Sequence, residues 1–213
     1  MRTKRKWGYS GQVGKWSGSL AISPALRRPP LAAAQWLLEQ VIPIFKCMHR
    51  PRRMRVSWAE CDEQLREIAY HELDEIDVTS WDSIGAHLSR LEVESGAVLV
   101  LSFLFVALDT AVIEDEKESW AEESAELQIS MPPEYTDPDS AIVSYTTWID
   151  VWLSKTLDEA GAVRANAAAA ANLPRLEALL RDFAALAGDT YCVEESQTYY
   201  DFITETGFRN QVD

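Results

Sequence analysis

The sequence predicts an all-α fold, a helical bundle of six to seven amphipathic helices behind a basic, poorly structured N-terminal extension. Three observations predict it. Beyond residue 56, apolar residues recur at spacings of three and four, as one face of a helix requires. Strand-like alternation is scarce, and no repeat selects a solenoid or propeller. The composition, 47% hydrophobic and 25% charged over 213 residues, is that of a globular chain large enough for one substantial core.

Charge divides the chain. Residues 1–55 hold twelve Lys/Arg and a single acid, Glu39, a net charge of +11. Residues 56–213 hold eight Lys/Arg and 33 Asp/Glu, a net of −25, so the whole chain carries −14. The expected organisation is therefore a basic extension over 1–55 and an acidic helical domain over 56–213. In the extension, Gly8, Gly11, Gly14 and Gly18, the run Lys4 to Lys6, and Arg27-Arg28 before Pro29-Pro30 oppose regular elements. Four readings of it stand side by side: a basic arm that docks on an acidic surface, including this chain's own; a segment upstream of a start at Met54; an organelle-targeting peptide; a nucleic-acid-binding tail. One short helix is expected over 31–45, ended or kinked by Pro43, before the cluster Arg50, Arg52, Arg53 and Arg55.

Within the acidic part, Ser57 and Glu60 fit a capping box, and Trp58, Cys61, Leu65 and Ile68 share a helical face. Thr79 and Ser80 cap a second helix carrying Trp81, Ile84, Leu88 and Leu91. A long helix is expected from Ala97 to Ile113, continuing through the acidic run to Leu127, and then a loop to Asp139 containing Pro132, Pro133 and Pro138. Ile142, Tyr145, Ile149 and Trp152 mark the next helix, with Gly161 as its stop. After an alanine-rich stretch over 162–172, Pro174 opens a helix whose stripe is Leu176, Leu180, Phe183 and Ala187, stopped by Gly188. The tail from Val193 to Thr206 reads as a helix, or as an aromatic strand through Tyr199, Tyr200 and Phe202. Val98 to Leu108 is an uninterrupted apolar run of eleven residues. Crossing a bilayer takes about twenty, so the run reads as the bundle's central helix, with a membrane-associated component using 97–113 as the alternative.

No catalytic constellation is present in the pattern. The histidines are His49, His71 and His87, and Glu75 occupies the place where a zinc-protease helix needs its second His. Glu67, His71 and Glu75, at i, i+4 and i+8 on one helical face, form a weak metal-binding alternative and would support a small metal-dependent helical enzyme. Cys47, Cys61 and Cys192 are too far apart in sequence for a zinc ribbon or dithiol motif and suit a reducing compartment. No phosphate loop or nucleophile elbow occurs, and no cofactor is implied.

The densest feature is acidic. Glu114, Asp115, Glu116, Glu118, Trp120, Glu122, Glu123 and Glu126 form the expected partner-binding surface, with Trp120 as its anchor. Such a surface suits a basic protein, imitates a phosphate row, or reflects adaptation to high salt. It makes the main body a poor candidate for binding nucleic acid, which stays an option for the N-terminal arm. The reading is a non-enzymatic, cytoplasmic, acidic module that binds a basic partner protein, as an immunity protein, antitoxin or adaptor does.

Overall fold

The computed structural model describes residues 12–23, 32–61, 67–91, 98–131, 140–157, 162–194 and 202–209. The runs Lys4–Lys6 and Arg27–Pro30, the proline-bearing loop 132–139, and Tyr199 and Tyr200 lie outside them.

The fold is predominantly β, which overturns the expected helical bundle. In chain order the elements are β1 (Gly14–Ala21), α1 (Ala32–Phe45), β2 (His49–Cys61), β3 (Glu67–Asp77), α2 (Trp81–Leu88), β4 (Val98–Glu114), β5 (Lys117–Ser130) and β6 (Ser140–Thr147). There follow β7 (Lys155–Leu157), β8 (Val163–Ala165), α3 (Ala169–Ala187), β9 (Cys192–Glu194), β10 (Ile203–Thr204) and β11 (Gly207–Phe208). Seven strands form one antiparallel sheet in the order β3-β2-β4-β5-β6-β1-β9. β7 with β8 and β10 with β11 are small separate ribbons.

Three of the expected helices exist, and local chemistry explains each. Ser80 caps α2 in a reciprocal box with Ser83. Gly188 ends α3 at φ +59°, a conformation that costs glycine little. Pro43 lies in the last turn of α1, where it neither breaks the helix nor extends it. Elsewhere strand chemistry wins over three-four spacing. β4 is rich in Val, Leu and Phe, and Val and Phe fit a pleated surface. In β6, Ala141, Val143 and Tyr145 join the apolar core from one face while Ile142 on the other is exposed, so the apolar period is two. Ser57 and Glu60 are strand residues, and the capping box they spell is not formed.

The helices cover one face of the sheet. Leu37, Val41 and Phe45 of α1, Ile84 and Leu88 of α2, and Leu176, Leu180 and Phe183 of α3 join one apolar cluster with Trp16, Met54, Val56, Leu104, Val106, Leu127 and Val143. Phe45 sits with its ring centroid 5.2 Å from that of Tyr145 and 5.9 Å from that of Phe183, tying α1 to both β6 and α3. Gly18 of β1 lies against Ala187, so close that a Cβ there would collide with the alanine methyl and hold α3 off the sheet. The change in charge sign near residue 56 falls inside β2, and β1 and α1, from the basic stretch, are integral to the sheet and the core. Among the described residues no helix is long and apolar enough to cross a membrane, and the apolar run within 97–113 is strand β4.

Candidate functional site

The acidic run forms a β-hairpin rather than the flank of a helix. β4 turns into β5 through Asp115 and Glu116, at φ 49° and 63°, the paired left-handed residues of a two-residue hairpin turn. The tip runs beyond the end of β2, which leaves the edge of β4 without a strand partner there. Side chains of α3 fill the role of that strand. Asn172 accepts from the Ile113 amide at 2.9 Å and donates to the Ile113 carbonyl at 2.7 Å. Arg175 donates to the Ala111 carbonyl at 2.8 Å and reaches Glu118 at 3.5 Å. Asp115, Glu116 and Glu118 are exposed at the tip, and Glu114 is partly buried beneath it.

Further along the hairpin the register jumps. Leu108 faces Ala125 and Thr110 faces Ala121, so Asp109 alone stands opposite Glu122, Glu123 and Ser124. This bulge, with Glu123 at φ 47°, presents its carboxylates toward the arginines of β2. Asp109 is almost wholly buried. It accepts the Glu123 amide at 2.9 Å and Arg50 Nε at 2.9 Å, with Arg52 at 3.5 Å. Arg53 bridges Glu75 of β3 at 2.7 Å and Glu123 at 2.5 Å, while Arg52 lies 3.5 Å from Glu122. Arg50 also covers Trp120, 4.4 Å from its ring centroid, although 40% of that residue stays exposed. A carboxylate as buried as Asp109 is tolerable only with such partners.

The expected partner-binding residues therefore divide. Asp115, Glu116 and Glu118 project from the tip; Trp120, Glu122 and Glu123 engage β2 arginines of the same chain; Glu126 lies apart, on the sheet face away from the helices. Arg50, Arg52 and Arg53 were legible as a basic cluster, and Asp109 as a charge inside an apolar run. Only strand pairing between β2 and β4 brings them together.

The sheet face away from the helices carries Lys15, Thr146, Glu126, Ala107, Arg53 and Asp77 along one cross-strand row. The next row holds Ser17, Ser144, Gln128, Phe105 and Arg55. Phe103, Phe105 and Ile142 belong to this side and to no part of the apolar core, and Ile142 is 39% exposed. Arg55 lies over both phenylalanines, 5.7 and 5.5 Å from their centroids.

On the core side, His49 is buried between two hydroxyls, with Thr110 Oγ1 3.1 Å from Nδ1 and Tyr145 Oη 3.0 Å from Nε2. Ser124 Oγ is 2.7 Å from Thr110 Oγ1 and 2.8 Å from the Ala121 carbonyl, and its one proton can serve only one of them. When that proton goes to the carbonyl, Thr110 donates to Ser124, His49 Nδ1–H to Thr110, and Tyr145 to His49 Nε2. Behind Tyr145, Thr147 Oγ1 accepts Trp152 Nε1–H at 2.9 Å. In this arrangement the imidazole is neutral, with one nitrogen donating and the other accepting. Burial pushes the His49 pKa down to about 3. His49, Thr110, Ser124 and Tyr145 are all buried, so this network supports the sheet and meets no solute.

The metal alternative loses its premise. Glu67, His71 and Glu75 are on β3, where four residues span about 13 Å, so one ion cannot meet all three. His71 instead stacks on Trp58, 5.3 Å between centroids, with Nε2 3.1 Å from Glu60, and Glu75 pairs with Arg53. Among the described residues no group of three His, Cys, Asp or Glu is placed to hold a metal ion. No family model matches the chain, and neither does any curated protein or solved structure.

Proposed function

We propose that this chain is a non-enzymatic binding module that neutralises or scaffolds a basic partner protein, as immunity proteins, antitoxins and adaptors do. One observation carries the reading: the acidic β4–β5 hairpin is held by Asn172 and Arg175 so that Asp115, Glu116 and Glu118 stand exposed beyond the end of β2. A rigid, charged projection costs little ordering entropy on binding and steers an oppositely charged partner toward it. The chain's net charge of −14 adds a long-range attraction for cationic surfaces. The free thiols Cys47 and Cys192 support a reducing, cytoplasmic setting.

The test is affinity purification of the full chain from its native host, followed by titration of the recovered partner against purified protein. A basic partner is expected, with affinity falling as salt rises and falling at least tenfold in the combined Asp115→Asn, Glu116→Gln and Glu118→Gln variant. An acidic partner, or affinity indifferent to salt, overturns the reading.

A further inference from the structure

The large sheet has two margins of unequal length. β9, at one end, is three residues long. β3, at the other, runs for eleven, and among the described residues β2 is the one strand that pairs with it. Alternate residues of an antiparallel strand turn N–H and C=O to opposite neighbours, so β3 directs about half of its backbone polar groups away from the sheet. Register shifts flank a straight stretch, Ala69 to Leu73, which pairs without a break with Glu60 to Val56. That stretch is uncovered. Of the β3 side chains described, Glu67, Tyr70, Glu72, Glu75 and Asp77 are exposed, Ala69, His71, Leu73 and Ile76 are half-buried, and none is buried. Tyr70 is 55% exposed, more than any other aromatic residue among those described.

An exposed edge is a template for another strand, and proteins guard such edges with charge. Here the guard has one sign: β3 holds five acids and no Lys or Arg. Arg53 holds Glu75, while Glu67, Glu72 and Asp77 have no ion pair among the described residues. A second copy brings no cation on its own β3 in any register, so self-pairing gathers acids without matching one. A phosphate backbone carries the wrong sign. The charges that repel those two favour a basic strand. We infer that the outer edge of β3 accepts an extended, basic segment of a partner protein as a further strand. Backbone hydrogen bonds along Ala69–Leu73 make the join, and alternate side chains give the specificity. Tyr70 and Glu72 lie on the sheet face away from the helices, and Leu73 on the other, where it packs against the apolar core. The segment that fits therefore alternates Lys or Arg beside Glu72 with apolar residues beside Leu73. The inference rests on the binding-module reading and adds to the hairpin tip a second element that holds the partner.

Amide hydrogen exchange of the full chain, read residue by residue with and without the partner recovered from its native host, tests this. The expected result is exchange slowed at least tenfold at alternate amides within Ala69–Leu73 when the partner is bound. Raising the concentration of the chain alone should leave these amides unchanged. Glu72→Lys should weaken binding at least tenfold with unchanged circular dichroism. Asp182→Lys, the same charge change on the exposed side of α3, should bind within twofold of the parent. Unchanged exchange along β3, protection by the chain's own concentration, or an equal loss in both variants overturns the assignment. A basic partner that loses affinity in the combined Asp115→Asn, Glu116→Gln and Glu118→Gln variant, yet leaves the β3 amides unprotected, removes the edge and leaves the binding-module reading standing. An acidic partner, or none, removes both.

Discussion

Lowering the pH from 8 to 5 should destabilise the fold by about 2 kcal/mol through His49 alone, given an unfolded pKa near 6.5 and a folded value of about 3. The unfolded chain binds a proton on this residue below pH 6.5, while the folded chain does so only near pH 3. Stability is therefore full above the unfolded pKa and drains away as pH falls toward the folded one, with about 3 kcal/mol gone by pH 4. The structure supplies the reason for the depressed value. His49 is 2% exposed, with Thr110 Oγ1 3.1 Å from Nδ1 and Tyr145 Oη 3.0 Å from Nε2. A second proton would place a full charge among buried hydroxyls and away from water, which is what holds the value down. Urea unfolding followed by circular dichroism at pH 8, 6 and 5 measures the slope. His49→Gln, whose amide is neutral throughout, should cost about 1–3 kcal/mol at pH 8 and should then lose about 2 kcal/mol less than the parent between pH 8 and pH 5. An unchanged slope in this variant, or an imidazole that titrates above pH 5 by NMR in the folded protein, would refute the reasoning.

Asp109→Ala strips Arg50 and the Glu123 amide of their shared acceptor, so the bulge should loosen, with a loss of about 2 kcal/mol and faster amide exchange at Glu123. Asn172→Ala leaves both polar groups of Ile113 unpaired at the edge of β4, and thermal unfolding should fall by about 4–8 °C for a loss of about 2 kcal/mol in a chain of this size. Gly18→Ala sets a methyl against Ala187 and should cost about 1–3 kcal/mol, partly recovered in the double variant with Ala187→Gly, since the second change restores the space the first one takes.

The helices were legible in the sequence because their ends carry chemistry that has no other use. Ser80 before Trp81 and Gly188 after Ala187 are punctuation, and the structure places α2 and α3 against them. The strands were hidden by coincidence of period. Trp58, Cys61, Leu65 and Ile68 repeat by three and four, yet Met54, Val56 and Trp58 repeat by two, and pairing with β4 decides for the second. β4 looked like a buried helix because a central strand, shielded on both sides at one end, shows an unbroken apolar run. Its turn at Asp115 and Glu116 lacks the glycine or asparagine that announces a hairpin. The acids were correctly singled out, but a helix would have spread them along one exterior, whereas the hairpin divides them among tip, bulge and sheet face.

That division changes what the charge asymmetry means. Read along the chain, +11 followed by −25 suggests two modules with separate tasks. In space, the last arginines of the basic stretch lie in β2, between β3 with its Glu75 and β4 with its Asp109, and β4 leads into the acids of β5. Slipping β2 by one residue would turn Arg53 and Arg55 toward the core and Met54 and Val56 away from it, and would part Arg53 from both Glu75 and Glu123. Burial and charge thus select the same register. The arginines consume much of the acidity they face, so the run from Glu114 to Glu126 is not one uniform surface. What it leaves exposed is Asp115, Glu116 and Glu118 at the tip, set apart from the partly buried Glu126 by the bulge that β2 has already neutralised. A basic partner that engages the hairpin therefore meets the compact cluster at its tip, and the acids behind the tip are already held by arginines of the same chain.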